Sequence, residues 1–379
     1  MALGLLFGLP EAVALGVVAV ALPALALAWV RASGRGPAVW RTVRPARVTV
    51  GDRCDVVVSV RNEGRRRTPP TLLRDLVDGA GSARVLVGPL EPGEEARSRY
   101  SLSTDRRGVH RVGPLETRAG GAFRLARFDT HRLGTVSVVV LPRVVPLPPL
   151  PASAGDEPEL GTRSMVAVST VDEEFTGLRG YVPGDDVRRI HWPSSARAGG
   201  ALVRQFEVPW QRRTTLLVDV RADRHDPESF ERTVTVAASV SALASAGSEL
   251  VRVGTTEHPD PPFVTATDHL DALLDRFALL TPQVADGDLV TAVERATVTA
   301  TGRLVVCTGE LPRDELDAVL RASSRAGISL LVTTGGSGPS RAAGGTGGVV
   351  RVHWDGISDL ATLWRSAGDA LRAPGVGSR

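Results

Sequence analysis

The sequence predicts an α/β doubly wound domain, preceded by an all-β sandwich domain and an N-terminal transmembrane helix. Three observations carry this. Ala12 to Val30 holds no charge. From about Val43 to Pro142 apolar and polar residues alternate. Beyond Thr214 short apolar runs alternate with amphipathic stretches that begin and end in helix-cap residues. A chain of 379 residues can bury two or three separate cores. The expected division is 1–36 membrane anchor with its span at about 12–30, 37–142 β-sandwich, 143–165 proline-rich linker, 166–210 signature region and 211–379 α/β domain.

The anchor comes first. Its 19 uncharged residues would rise roughly 28 Å as a helix, enough for a bilayer core. Pro23 would kink it, and Trp29 stands where an interfacial aromatic belongs. Arg31, Arg35, Arg41, Arg44 and Arg47 follow with no acid before Asp52, which by the positive-inside rule places the soluble parts in the cytoplasm. A cleaved signal peptide is the rival, but Met1 to Pro10 lacks its basic start. Leu3 to Leu9 is apolar and too short to cross alone, leaving one or two passes open.

The sandwich is read from period two. Cys54, Val56, Val58 and Val60 form an apolar face, while Asp55, Ser59 and Arg61 face outward. Arg84–Val87, Ala96–Ser103, Val109–Val112 and Thr135–Leu141 are further strands separated by turn residues such as Glu91-Pro92-Gly93. The run Pro142 to Pro151 cannot be helix and reads as a semi-rigid linker.

Next comes Gly177-Leu178-Arg179-Gly180-Tyr181-Val182-Pro183-Gly184-Asp185-Asp186-Val187-Arg188-Arg189-Ile190-His191-Trp192-Pro193-Ser194-Ser195-Ala196-Arg197. Pro183-Gly184 predicts a tight turn, Asp185 or Asp186 a cap, and Arg188, Arg189, Arg197 and Arg204 forked donors for those carboxylates. Ile190, Trp192, Val203 and Phe206 are the expected core plugs. His191, Ser194, Ser195 and Asp185 supply the residue types of a hydrolytic triad, but triad members normally converge from separate elements. No nucleophile elbow surrounds either serine. A structural arginine–carboxylate network is the expectation.

This stretch resembles the signature of the family called domain of unknown function 58. Tyr181, Pro183, Gly184, Asp185, Arg188, Ile190, Trp192, Ser195, Ala196 and Arg197 match it in order. His191 stands where many members carry aspartate, and Pro193 where many carry a basic residue. The resemblance implies a membrane protein with a von Willebrand factor type A-like region, often paired with a MoxR-type AAA+ ATPase. It implies no established activity.

The α/β domain follows. Thr214–Val220, Glu249–Gly254, Leu304–Cys307, Ile328–Val332 and Val349–His353 read as strands. Glu228–Ala246 is a helix started by Asp226-Pro227 and stopped by Gly247. His269–Leu280, Asp314–Ala326 and Ser358–Leu371 are the other helices, and Gly335–Gly348 is a glycine-rich loop.

A type A-like region would hold a divalent cation after its first strand, on an aspartate and two serines. Here Asp219-Val220-Arg221-Ala222-Asp223 keeps the aspartate and loses both hydroxyls, so an Asp219–Arg221 pair is expected and no metal. The histidines show no ligand spacing.

Composition narrows function further. The chain has 45 basic and 42 acidic residues, giving a formal charge of +3. The two signs are mixed, which argues against a nucleic-acid stripe. Every basic residue is arginine, which excludes a P-loop lysine, a Schiff-base lysine and a serine–lysine dyad. Cys54 and Cys307 are too few for a disulfide framework. The expected function is a membrane-anchored, non-catalytic scaffold, with no cofactor, no nucleic acid and no small-molecule substrate. A metal-dependent adhesion module and a serine hydrolase are the alternatives.

Overall fold

The computed structural model describes residues 8, 10–32, 37–79, 81–120, 127–150, 174–182, 187, 190–207, 212–284, 287–299, 302–326, 328–336, 338–344 and 348–372. It divides into two units, Met1–Arg143 with Asp271–Leu280, and Val144–Leu270 with Thr281–Arg379.

Helix α1, Pro10–Ala32, covers the expected anchor, with Glu11 in its first turn and Pro23 inside. Among its described side chains Leu15 is 73% and Val20 67% exposed. Among the described residues no helix is long and apolar enough to cross a membrane. The described side chains of α1 end at Leu25, apart from Ala28.

The first unit is a β-sandwich. Its strands are β1 Ala38–Arg44, β2 Arg47–Thr49, β3 Cys54–Arg61, β4 Thr71–Val77, β5 Gly81–Val87, β6 Glu95–Leu102, β7 Gly108–Gly120, β8 Arg127–Leu133 and β9 Val136–Leu141. One sheet runs β1-β3-β6 and the other β2-β9-β7-β4-β5, with β8 also on β7. The core draws on both: Cys54, Val56, Val58 and Val60 of β3 meet Leu73, Val112, Leu115, Val138 and Val140. The face read from period two in β3 is therefore the buried one.

The two sheets are also joined by charge. Arg41 of β1 donates to Asp75 Oδ1 of β4 at 2.6 Å, and Tyr100 of β6 donates to Asp75 Oδ2 at 2.6 Å. Both ion-pair side chains are nearly inaccessible. Burial, then the Asp75 hydrogen bond, pushes the Tyr100 phenol above its usual value. Arg41 is thus withdrawn from the basic flank behind α1, which corrects its reading as a membrane-side charge. The same pair explains why β4 escaped the sequence reading. Asp75 points inward and Leu72 outward, reversing the polarity that period two looks for.

The second unit holds β10 Glu174–Gly180, α2 Trp192–Ala198, β11 Leu202–Glu207, β12 Arg213–Val218, a 3₁₀ turn Ala222–Arg224, α3 Pro227–Ala246, β13 Leu250–Thr255, β14 Val264–Thr265, the first turn of α4 Ala266–Leu279 (from Asp271 on, α4 is counted with the first unit), α5 Leu289–Thr299, β15 Arg303–Thr308, α6 Arg313–Ser323, β16 Ile328–Thr333, β17 Arg341–Gly344, β18 Val349–His353 and α7 Leu360–Arg372. Helix α3 begins as the sequence indicates: Asp226 Oδ1 accepts from Glu228 N and Ser229 N, and Pro227 takes the first helical position.

A mixed, mainly parallel sheet of seven strands has the order β14-β13-β12-β15-β16-β18-β17. β12, β13, β15, β16 and β18 are mutually parallel; β14 and β17 are antiparallel edges. Leu217, Leu304, Val306 and Leu331 pack under α5 and α6. By strand alternation Leu216, Val218 and Val305 turn to the other face, where α3 lies over β12, β13 and β15. Helices therefore cover both faces.

Several elements differ from the sequence reading, among them one helix, one strand and the linker. Helix α5 was missed because Leu289–Thr299 is rich in β-branched residues of low helix propensity. Its stripe Leu289, Ala292, Val293 and Ala296, at helical spacing, is fully packed and decides the matter. The glycine-rich loop contains a strand, β17, held by pairing to β18. The proline-rich linker is docked over its first part: Val145 N donates to Ser239 Oγ at 2.9 Å, and Leu150 is buried. Its remainder, 151–165, lies outside the described residues.

Candidate functional site

The signature region closes around β11. Tyr181 N donates to Ala201 O at 2.9 Å and His191 N to Leu202 O at 2.8 Å, while Ile190 bridges Val203. Pro193 opens α2, and Gly199 in the left-handed region ends it. Ser195 is buried; its hydroxyl donates to His191 O at 2.9 Å and accepts from Leu202 N at 2.8 Å. That serine is a clasp between helix and strand.

His191 Nδ1 and Ser194 Oγ lie 2.8 Å apart, so two triad residue types do meet. The backbone around them is spent, however. Ser194 N and Ser195 N both donate to His191 O, so neither N–H is free to hold an oxyanion.

Trp192 is 67% exposed, which corrects its reading as a core plug. Backbone pairing and Ser195 already close the α2–β11 junction without the ring. Tyr181 and Val187 are exposed too. Arg197 lies exposed in the last turn of α2. Gly184, Asp185, Asp186, Arg188 and Arg189 lie outside the described residues.

The second candidate sits at the carboxyl edge of the parallel sheet. Numbered by position in the chain, the seven strands run 3-2-1-4-5-7-6 across it, so β12 and β15 flank the point where the winding reverses. Open α/β sheets place their ligand crevices there. Asp219 follows β12 and is fully buried. Its Oδ1 accepts from Arg221 N at 3.1 Å and Arg221 Nε at 3.0 Å. Its Oδ2 accepts from Arg221 Nη2 at 2.8 Å and Thr308 Oγ1 at 2.8 Å.

The pairs continue outward. Arg221 Nη1 is 2.7 Å from Glu315 Oε1, Arg224 Nη2 is 3.1 Å from Glu315 Oε2, and Arg224 Nη1 is 3.3 Å from Asp223 Oδ2. The result is an alternating chain, Asp219–Arg221–Glu315–Arg224–Asp223. Burial disfavours the Arg221 cation, but Asp219 and then Glu315 outweigh it and hold its pKa above the usual arginine value. An outer crevice of about 500 Å³ is lined by Arg221, Asp223, Arg224, Asp288 and Glu315.

The residues do not fit a divalent cation. A carboxylate offers about four lone-pair sites, and Asp219 has an acceptor contact at each. A cationic guanidinium occupies the space in front of it. Among the described residues no group of three His, Cys, Asp or Glu is placed around a common point for a metal.

Thr308, Glu315, Arg224 and His225 were not singled out by sequence reasoning. One signal was available for Thr308. Val218 pairs with Cys307, so the residues following both apolar runs stand level at the strand ends. His225 Nε2 donates to Asp219 O at 2.9 Å. Burial holds its imidazole below the ordinary 6.5, against the pull of Asp219.

His225 therefore binds a proton more readily unfolded than folded. Its contribution to stability is present above pH 6.5 and is lost as the pH falls through the folded value. His225→Gln is expected to flatten the decline in melting temperature between about pH 7 and about pH 5. An unchanged pH profile would remove His225 from that role.

A family model described as "Protein of unknown function DUF58" matches residues 177–333, from within β10 to the last residue of β16. Among solved structures, the CARDB domain of the PF1109 protein from Pyrococcus furiosus is 21% identical over 28% of this chain and 90% of its own, with a TM-score of 0.22. Red sea bream transglutaminase is 20% identical over 27% of this chain and 15% of its own, with a TM-score of 0.21. No curated protein matches the chain. With the α2 turn, β11 and the strand-end crevice all inside the matched stretch, the chain carries a DUF58 family domain at residues 177–333.

Proposed function

We propose that the protein is a membrane-anchored, non-catalytic scaffold whose α/β unit engages a protein partner on the cytoplasmic side. The partner implied by the family resemblance is a MoxR-type AAA+ ATPase. One observation carries the non-catalytic reading: at the strand ends, where this class of sheet puts its chemistry, the Asp219 carboxylate is fully engaged by Arg221 and Thr308. On a von Willebrand type A-like reading of the sheet, Arg221 takes up the aspartate that would otherwise head the metal position.

Two further features support the reading. Helix α1 turns Leu15, Val18, Val20 and Leu25 outward with no charge between Ala12 and Val30, and Arg31 and Arg35 follow. The exposed Trp192 at the start of α2 offers an aromatic anchor of the kind interfaces use.

The test is affinity recovery of the tagged full chain from detergent-solubilised membranes. The expected result is co-recovery of an AAA+ ATPase, reduced at least about ten-fold by Trp192→Ala, a loss of about 1.4 kcal/mol or more in binding. The melting temperature of the variant should be unchanged. Repeated recovery without any ATPase, or a chain found wholly outside the membrane fraction, would overturn the proposal.

A further inference from the structure

The outer edge of the seven-stranded sheet carries two arginines whose side chains form no ion pair among the described residues. The β17–β18 register sets Arg341 opposite His353 and Ala343 opposite Arg351. Opposed residues share a face, so Arg341 and Arg351 are diagonal neighbours on it. Leu331, which pairs with Arg351 from β16, belongs to the core beneath α5 and α6, so this is the α5–α6 face.

Arg351 lies between two fully buried valines, Val350 and Val352, and is itself half-buried. Its Nε is buried without a hydrogen-bond partner. Among the described residues neither arginine side chain has an ion pair or hydrogen bond. Burial, then the charge of Arg341, holds Arg351 below the usual arginine value. Two like charges at diagonal positions, one of them partly desolvated, form an arrangement that costs stability unless an anion completes it.

Both arginines open onto a recess of about 350 Å³, separate from the crevice at Asp219. Glu310, Thr333 and His353 also line it. His353 uses one ring nitrogen on Thr333 Oγ1 at 3.1 Å and the other on Gly338 O at 3.0 Å. Glu310 lies against Gly336, its carboxylate about 3.5 Å from where a Cβ would sit, and it pairs with neither arginine. Gly335 passes so close to Glu310 N that a Cβ there would collide, which keeps this wall of the recess bare backbone.

We infer that this recess is an oxyanion site, in which Arg351 and Arg341 together take one carboxylate or phosphate group of a ligand. Guanidinium forks match both groups in geometry and charge. The volume admits such a group with a few attached atoms. The inference stands apart from the membrane and ATPase reading, since recovery of an ATPase neither requires nor excludes it.

The test titrates the detergent-solubilised full chain with inorganic phosphate and, separately, with a short acetylated glutamate peptide, against sodium chloride at matched ionic strength. Saturable heat and a raised melting temperature are expected with at least one of them. Phosphate alone identifies a small-anion site; tighter binding of the peptide identifies a protein-borne carboxylate. Arg351→Gln and Arg341→Gln should each weaken binding at least about ten-fold. Without ligand, Arg351→Gln should melt no lower than the parent, because it removes a like-charge contact. Failure of both probes to saturate, or affinities unchanged in both variants, would overturn the assignment.

Discussion

Asp219→Ala is expected to destabilise the α/β unit by about 3–5 kcal/mol, the cost of leaving a buried charge without its partner. The substitution leaves the buried Arg221 guanidinium with Glu315 as its remaining partner and removes the acceptor of Thr308 Oγ1. Asp219→Asn should cost nearly as much, since an amide presents donors to the donors of Arg221 and Thr308. The double variant Asp219→Ala with Arg221→Met should recover much of the loss, because an apolar replacement removes both charges together. Denaturant unfolding of the second unit, followed by hydrogen exchange at β12 and β15, measures all three. A double variant as unstable as the sum of its parts would show that the pair is not an energetic unit.

Gly309→Ala is the second large effect expected. A Cβ at this position would overlap the Arg224 carbonyl oxygen and come within 2.9 Å of His225 Nδ1. Glu310 N donates to that same carbonyl at 3.0 Å, so the backbone cannot retreat without breaking a hydrogen bond. The cost should reach about 3 kcal/mol, the upper end of ordinary overpacking. The damage should also spread to the ion-pair chain, because Arg224 and His225 would both shift. A variant that melts like the parent would mean the Arg224 carbonyl is not held where the structure has it.

How far these features were legible in the sequence depends on what holds each element. Helix α3 was readable because Asp226, Pro227 and Gly247 act locally, through caps and a fixed φ. Strand β3 was readable because its inward face is wholly apolar. Strand β4 was not, because an inward Asp75 is tolerated only by Arg41 and Tyr100, which come from strands far away in sequence. Helix α5 hid for the converse reason: tertiary packing overrode weak local propensity.

The site divides in the same way. Asp219 and Arg221 were legible as a pair because they are two residues apart at the end of an apolar run. Thr308 and Glu315 join them only through the parallel register and the placement of α6, which a linear pattern does not encode. Trp192 was misread because burial is the default for tryptophan, whereas its exposure is decided by what α2 packs against. The free arginines of β17 and β18 sat in and beside a glycine-rich run that carries no period at all.

Central to this account is that a tethered guanidinium occupies the space in front of the Asp219 carboxylate at the strand ends. The most direct measurement is a calorimetric and melting titration of the full chain with magnesium and manganese ions. The account predicts no saturable heat and no rise in melting temperature with either ion. Saturable binding that is lost on Asp219→Ala would contradict it, by showing that the carboxylate is free to leave Arg221 for a metal.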